Sequence, residues 1–463
     1  MGENILVVTV GTSPLPEYIA TKYFLRYLPN KCSAEKYNYV FFICSEETIR
    51  QKSTASYAEK LEEVLGRDNV KVFYILLSDV SDPETIYNDL NEYFSSRQEF
   101  SKEKVNKVHL HYSGGTKAMA VYIYDFFKTK YGEKFESSYL DARDKRMIVS
   151  NPHSKNKIKT LASDDLRNVD EVSIDIDTLL RIHLYEKKEE NESWGNKFCS
   201  NNFIIIMRQI EDIIKTPEKI KIFIAWLDDQ FRRLFKSSGK FIEKTEEFCN
   251  VVKNNENIVN QFNEQLSKYE FIKSLLLSFP EEKRIINEDG KLWIPPEDLS
   301  SKKFKEKIFE TVKFLDGKWL EYYVYNELKN KLLERGLKEG SHFGLSLKAK
   351  KKEGSNNSKG FELDIFVIRG YQLIGISITT SLKTGECKFK GFEVIHRVNQ
   401  IGGEESKAIL ITAIDRNGKD SNPESLKEDL AYETGSHEEK IVVFGIDDWA
   451  DIGDKIVEEV FDE

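Results

Sequence analysis

The run His111-Tyr112-Ser113-Gly114-Gly115-Thr116-Lys117-Ala118-Met119-Ala120 joins an alternating apolar strand, Val108 to Tyr112, to a segment with helical spacing from Ala118 to Phe127. Two glycines at a strand-to-helix turn let the backbone approach a ligand closely. The first N–H groups of a helix are unpaired and point outward, so their partial positive charge favours a phosphate, and Lys117 adds a full charge. The chemistry on offer is anion binding by Ser113, Gly114, Gly115, Thr116, Lys117 and Ala118. The Gly-x4-Gly-Lys-Ser/Thr spacing of a Walker A loop is absent. Without a ligand, the same run reads as a tight turn with a solvent-facing lysine.

A second turn offers matching chemistry. Asn4 to Val10 is a short apolar strand, followed by Gly11-Thr12-Ser13-Pro14-Leu15-Pro16 and helical spacing from Glu17 to Tyr27. Ser13 has the residue type of a helix N-cap, and Pro14 suits the first helical position. Two such turns at the carboxyl ends of parallel strands form one crevice in an open α/β sheet. The pair of turns resembles the CARF domains of CRISPR-associated ancillary proteins, over roughly residues 1–165. That resemblance implies binding of a cyclic oligoadenylate second messenger, with Gly11, Thr12, Ser13, Pro14 and Leu15 on one side of it and Ser113 to Ala118 on the other.

The elements that must position these turns are legible as a strand–helix alternation. Strands are predicted near 4–10, 38–44, 70–76, 107–112 and 135–140, with Met147 to Val149 closing a hairpin after Asp141-Ala142-Arg143-Asp144-Lys145. The alternation implies a mostly parallel, Rossmann-like sheet. Ser45-Glu46-Glu47-Thr48 and Ser78-Asp79-Val80-Ser81-Asp82 read as helix caps. Residues 150–170 read as a polar connector, and Val172 to Tyr185 as a strand leading into a helix on which His183 is packed or solvated. From about 200 to 285, apolar residues recur at three- and four-residue spacing (Phe223, Trp226, Leu227, Phe231, Leu234, Phe235), the pattern of a helical bundle. No chemistry is visible there, and the expected role is a spacer carrying dimer contacts. Pro295-Pro296 marks the next boundary.

Beyond it, Phe314-Leu315-Asp316-Gly317-Lys318-Trp319-Leu320-Glu321 opens a long helix through Leu333. A Lys-rich turn (Lys348 to Gly360), a strand Phe361 to Ile368, a turn at Gly370 and a second strand Gln372 to Thr380 follow. Glu362 and Asp364 alternate with Leu363 and Ile365, so both acids share one face. Without a site, Asp364 reads as an edge-strand acid facing solvent. The segment, over about residues 304–447, resembles the PD-(D/E)XK restriction-endonuclease-like domain of CARF nucleases, in which a Gly-x-Trp-Leu-Glu helix precedes a Glu-x-Asp strand. The resemblance implies that Glu321 and Asp364 hold Mn²⁺ or Mg²⁺, with Glu362 as a companion acid. Carboxylates suit such hard ions, which activate water and neutralise charge on a scissile phosphate.

The second strand departs from that pattern. Its end should carry acid-x-Lys, but the chain has Ser377-Ile378-Thr379-Thr380-Ser381. Either the metal chemistry is lost, or Lys388 or Lys390, with Glu393 nearby and Thr379 as a hydrogen-bonding group, supplies the missing function. Lys390 is preferred over Lys388 because Gly391 lets the chain bend toward the strand end. His396, Arg397, Asn399 and Gln400 either face a nucleic-acid backbone or form the wet side of a helix; Lys348, Lys350, Lys351 and Lys352 could hold a phosphate backbone.

Composition bounds the rest. The chain has 463 residues and a net charge of −9, enough length for two or three cores and no chain-wide affinity for nucleic acid. Its five cysteines include no Cys-x-x-Cys pair, which argues against a disulfide framework or a structural zinc. No apolar run long enough to span a membrane and no secretory pattern occur, so a soluble cytoplasmic protein is expected. The expected organisation is an α/β CARF domain at 1–165, a linker and mostly helical insertion at 166–300, and a PD-(D/E)XK-like α/β domain at 301–463. The resemblances together imply a homodimeric nuclease, activated by cyclic tetra-adenylate, that cuts DNA or RNA; a two-fold symmetric ring suits an isologous interface. A non-catalytic sensor and a ring nuclease that degrades its own ligand remain open.

Overall fold

In a computed structural model of the chain, residues 2–32, 36–47, 53–66, 70–152, 158–159, 165–188, 194–351, 360–418 and 422–461 are described. Lys352 and most of the Lys-rich turn lie outside them. The first sheet contains β1 (Glu3–Thr9), β2 (Tyr39–Ser45), β3 (Lys71–Leu77), β4 (Val105–His111), β5 (Phe135–Asp141), β6 (Arg146–Ser150) and β7 (Ile158–Lys159), in the order β3-β2-β1-β4-β5-β6-β7. β1 to β5 pair in parallel, and β6 and β7 add antiparallel. The apolar runs Ile5 to Val8 and Val40 to Cys44 are buried on both faces, as parallel strands covered by helices must be. The strand order reverses between β1 and β4, and the turns leaving those two strands open a crevice there.

The two helices after these turns start differently. Thr116 caps the helix Lys117–Tyr131, its Oγ1 accepting from the Met119 N–H at 3.1 Å and donating to the Val80 carbonyl at 2.9 Å. The helix Leu15–Lys22 has Pro14 at the cap position and no side-chain cap. Ser13 is therefore not the N-cap that its type suggested, because the two prolines shift the helix start past it.

The expected strand after Val172 does not form. A 3₁₀ turn at Asp170–Val172 leads into an extended stretch and then the helix Ile176–Ile182. Val172, Ile174 and Ile176 are buried, but Ile174 and Ile176 donate singly to the carbonyls of Gly370 and Ser341, so the alternation serves a packed crossing and not a ladder. His183 ends that helix, buried, with Nδ1 2.9 Å from the Leu179 carbonyl oxygen.

The crossing feeds the second sheet. Its strands are β8 (Tyr185–Lys187), β11 (Phe343–Lys351), β12 (Phe361–Arg369), β13 (Gln372–Ile378), β14 (Lys407–Ile411) and β15 (Ile441–Phe444), in the order β15-β14-β13-β12-β11-β8; β9 (Lys236–Ser237) and β10 (Lys240–Phe241) make a separate small hairpin. β13, β14 and β15 are parallel and the remainder antiparallel. β8 lies in the segment expected as a linker, so the second sheet reaches back well before residue 301.

Three apolar cores hold the chain together. One side of the first sheet is closed by Ile86, Leu90, Phe94, Ile123 and Phe127. The other side merges with the second sheet in a single core, in which Leu6, Leu15 and Ile19 join Leu363, Val398 and Ile401. The middle helices (Ser200–Ile214, Pro217–Trp226, Thr245–Asn254, Glu256–Lys268, Glu270–Ser278) bury Phe223, Trp226 and Phe231 against the far face of the second sheet, with Trp319, Trp449 and Ile376. They are part of the second unit and not a free spacer. No helix among the described residues is long and apolar enough to cross a membrane.

Candidate functional site

Two cavities collect the residues singled out from the sequence, one at each sheet. The first, about 730 Å³, is lined by Gly11, Thr12, Ser13, Ser113, Gly114 and Gly115 from the two turns, and by the β5–β6 hairpin from Tyr139 to Asp144. The turns touch. Thr9 Oγ1 donates to the Gly114 carbonyl at 2.7 Å, and a Cβ added to Gly11 would lie 2.7 Å from the Gly115 nitrogen. Gly115 adopts φ of 84°, the left-handed region in which glycine is at ease. Beneath them Glu17 is fully buried, and its Oε1 accepts from the Gly11 N–H at 2.9 Å.

Not every residue of the turns faces this cavity. Leu15 is fully buried in the core shared by the two sheets, so its side chain cannot contact a ligand, and Pro14 also lies outside the lining. Thr116 spends its hydroxyl on capping, and Lys117 and Ala118 begin the helix beyond the lining, with Lys117 exposed. Arg143, on the β5–β6 hairpin, supplies a cation to the lining that sequence reasoning missed; its place in a turn of alternating charges gave no signal. His111 is no candidate base, because burial pulls its pKa down to about 3 and leaves the imidazole neutral.

Burial also pushes the Glu17 carboxyl from the ordinary 4.5 to about 8, against a lowering by the Gly11 N–H. Between those two values the unfolded chain loses a proton that the folded chain keeps, so this group lowers stability as pH rises through that window. Glu17→Gln removes the titration. The stability of Glu17→Gln relative to the parent is expected to rise from pH 5 to pH 8 in thermal melts, whereas a difference constant across that range would contradict the assignment.

The second cavity is a cleft of about 960 Å³ on the second sheet. Asp364, on β12, is only 8 % exposed, and its Oδ2 accepts from the Ile378 N–H at 2.8 Å and the Ser377 hydroxyl at 3.2 Å. β12 is flanked by β11 and β13, which rules out the edge-strand reading of this acid. Glu321 reaches the same place from the helix Trp319–Glu334. That helix is set off from the preceding Ser301–Lys313 by a π turn at Phe314–Lys318, where Gly317 leaves helical geometry and lets the chain change direction. Burial, and next the charge of Asp364, push the Glu321 carboxyl up to about 7.

The cation in this cluster is one that the sequence reading did not assign. Lys318 Nζ lies 2.6 Å from Glu321 Oε2 and 3.7 Å from Glu362 Oε1. Burial works against its charge, but Glu321, Asp364 and Glu362 outweigh this and hold the ammonium protonated. Of the lysines considered from the sequence, Lys388 bonds to Asp429 and Glu433 on the neighbouring helix and does not line the cleft. Lys390 lines it, with Nζ 3.6 Å from Glu393. Thr379 lines it too, its N–H bound to the Ile411 carbonyl and its hydroxyl accepting from the Ser381 N–H. Asn399, Gln400 and Arg397 are engaged within the fold with Ser406, Tyr185 and Phe361, which leaves little for a nucleic-acid backbone.

The middle region contributes Arg232, Arg233 and Lys236 to the cleft wall. Arg232 fixes the π turn to the end of β13 through the Asp316 carboxylate at 3.0 Å and the Thr380 hydroxyl. Among the described residues no group of three or more His, Cys, Asp and Glu is arranged to hold a metal. Glu321 and Asp364 are a pair of hard oxygen donors short of positive charge, which fits an ion such as Mg²⁺ that takes one or two carboxylates and fills its shell with water and phosphate.

Comparison with known proteins places the first sheet. Residues 23–168 match the family model described as the Card1 CARF domain. No curated protein matches the chain. The chain is similar to the crystal structure of protein VC1899 from Vibrio cholerae, with 14 % identity and a TM-score of 0.55 over 98 % of this chain and 97 % of that one, which shows a shared fold along both units. It also aligns with a type III CRISPR defence DNA nuclease activated by cyclic oligoadenylate (14 % identity, TM-score 0.39, 89 % of this chain and 46 % of that one). Enterococcus italicus Csm6 bound to cyclic hexa-2'-fluoro-hexa-dAMP aligns at 12 % identity and a TM-score of 0.23, over 73 % and 88 % of the two chains. Likenesses as low as these last two carry no argument here. The family match thus falls on the first sheet and the surroundings of its two turns, over residues 23–168, where the chain is similar to the Card1 CARF domain.

Proposed function

We propose that the chain is a nuclease of type III CRISPR defence, switched on by a cyclic oligoadenylate and dependent on Mg²⁺ or Mn²⁺. The CARF domain supports cyclic-oligoadenylate sensing. The observation that carries the nuclease reading is the convergence of Glu321, Asp364 and Lys318 in one cleft. In this reading residues 1–165 sense the ligand, 166–300 are the mostly helical middle region, and 301–463 are a PD-(D/E)XK-like unit completed by β8. A homodimer presents two equivalent sets of donors to a two-fold symmetric ring such as cyclic tetra-adenylate.

When bound, the metal ion supplies a lowered pKa for an attacking water and charge neutralisation at the scissile phosphate. Glu321 and Asp364 would hold the ion, and the two bonds that Asp364 accepts from Ile378 and Ser377 fix its carboxylate. Lys318 takes the part of the missing acid-x-Lys lysine. Its ammonium, 2.6 Å from Glu321, would steady the phosphate or the leaving oxygen. Arg233, Lys383 and Lys390 line the cleft where a nucleic-acid backbone would run, and Glu362 partners Lys318 from the rim.

The test omits each component in turn from a mixture of protein, cyclic tetra-adenylate, Mn²⁺ and either plasmid DNA or single-stranded RNA. Cleavage is expected only with all components present. The Ser377 to Ser381 segment, which lacks the acid-x-Lys pair, favours a second reading, a non-catalytic sensor with a nucleic-acid-binding cleft. Ring binding without cleavage in any combination selects it.

A further inference from the structure

The sensor cavity is completed by the second unit. Glu404 and Glu405 line it beside Ser13, and they lie on the turn at the carboxyl end of the helix Thr384–Gly402. Glu405 is 4 % exposed, and its Oε2 has no hydrogen-bond partner. Ser13 Oγ is likewise buried without a partner. Both atoms border the same small space, since a Cβ placed on Gly403 would lie 2.8 Å from Glu405 Oε2 and 3.3 Å from Ser13 Oγ. Unpaired buried polar atoms are costly, and a pair of them in a cavity wall is a reason to look for a missing partner.

The turn is held rigidly from behind. Gln372 Nε2 donates to the Glu405 carbonyl at 2.7 Å, and Arg167 donates to Gln372 Oε1 at 3.0 Å. Ser406 donates to Asn399 and to the Gly403 carbonyl. The Glu405 carbonyl is satisfied and its carboxyl meets its own backbone N–H, while Oε2 is left buried in the cavity wall without a partner. Burial pushes that carboxyl up to about 7, against a lowering by its own backbone N–H.

We propose that Glu405, with Ser13 beside it, contacts the ligand of the CARF cavity and accepts a hydrogen bond from an N–H or O–H group of its nucleosides. This rests on the cyclic-oligoadenylate reading above. A phosphodiester carries no such donor, and the ring offers two: the adenine amino group and the ribose 2'-hydroxyl. The contact makes the second unit part of the sensor. The helix that ends at this turn begins at the catalytic cleft, which Glu386, Lys390 and Glu393 line. At 1.5 Å per residue it spans about 28 Å, so a ligand touching Glu405 touches one end of a rod whose other end borders Asp364's cleft.

The experiment measures the affinity of the full-length protein for three rings: cyclic tetra-adenylate, its 2'-deoxy analogue, and cyclic tetra-inosinate, which lacks the amino group. Glu405→Ala, and Glu405→Met, which fills the same buried volume without a polar atom, are expected to bind cyclic tetra-adenylate about tenfold more weakly. Against the ring that lacks the donor being read, both variants should match the parent, and that ring identifies the donor. Unchanged affinity for cyclic tetra-adenylate, or an equal loss on all three rings, overturns the assignment. If Glu405→Ala fails to fold, Glu405→Met carries the test. Parent protein that binds no ring at all removes the cyclic-oligoadenylate reading itself, and so is distinct from parent binding that the Glu405 variants leave intact.

Discussion

Lys318→Ala is expected to lower activated cleavage by roughly 10²–10⁴-fold under single-turnover conditions, and Asp364→Ala to abolish it, with ring affinity unchanged in both. Glu321, Asp364 and Glu362 all act upon the Lys318 ammonium, which is half-buried beside the buried Glu321 and Asp364. Losing it leaves Glu321 without its ion-pair partner at 2.6 Å, beside a second carboxylate. Saturating nucleic acid cannot restore that loss, because the lysine acts at the reacting phosphate. Lys388→Ala is expected to cut at nearly the parental rate, since its charge is spent on Asp429 and Glu433. Lys390→Ala should mainly weaken substrate binding, a loss that higher substrate concentration recovers. A Lys318→Ala protein that cuts at the parental rate, beside a Lys390→Ala protein that does not, would return the catalytic role to Lys390.

The second large effect belongs to Gly114. A Cβ there would lie 1.7 Å from Glu17 Oε1 and 2.6 Å from the Thr9 carbonyl oxygen. Neither can move cheaply: one belongs to strand β1, and the other is a fully buried group already bonded to Gly11. Gly114→Ala must therefore push the two turns apart, at a cost in stability of about 1–3 kcal/mol, and the cavity wall that they form together is disturbed with them. Ring affinity is expected to fall by more than tenfold in titration calorimetry, and the ring concentration that half-activates cleavage to rise in step. Lys117→Ala is the milder comparison. Lys117 is exposed at the helix start beyond the lining, so folding should be unaffected, and a charge-assisted contact made by its side chain reaching back to a ligand phosphate would be worth on the order of 1–3 kcal/mol. Parental affinity in both variants would place the ligand elsewhere.

The parts that proved legible in the sequence are those dictated by local physics. Ile5 to Val8 and Val108 to Leu110 are apolar runs too short for helices and end in glycine-bearing turns, and the parallel sheet with its crevice follows from that. Glu362 and Asp364 could be placed on one face from strand periodicity alone. The illegible parts depend on where the backbone bends. Lys318 and Glu321 are three residues apart on a helix, the spacing of an ordinary surface pair. Only the π turn at Gly317 and the burial of β12 turn that pair inward onto Asp364. Ser13 has the type and position of an N-cap, but Pro14 takes the cap position and leaves the hydroxyl free of that duty. Glu405 follows two glycines at the end of a helix, where a sequence offers only a turn; its proximity to Ser13 comes from the core the two sheets share. The middle region read as an amphipathic bundle, and it is one, but which of its polar residues reach the cleft depends on how the bundle docks, so Arg232 and Lys236 carried no mark.

The most direct test of the account is the rate of nucleic-acid cleavage measured against cyclic tetra-adenylate concentration in the presence of Mn²⁺, with ring binding followed on the same protein. No cleavage is expected without the ring, with a rate that rises in step with occupancy and saturates near one ring for two chains. A rate independent of the ring, or full ring occupancy with no cleavage of DNA or RNA, would contradict it.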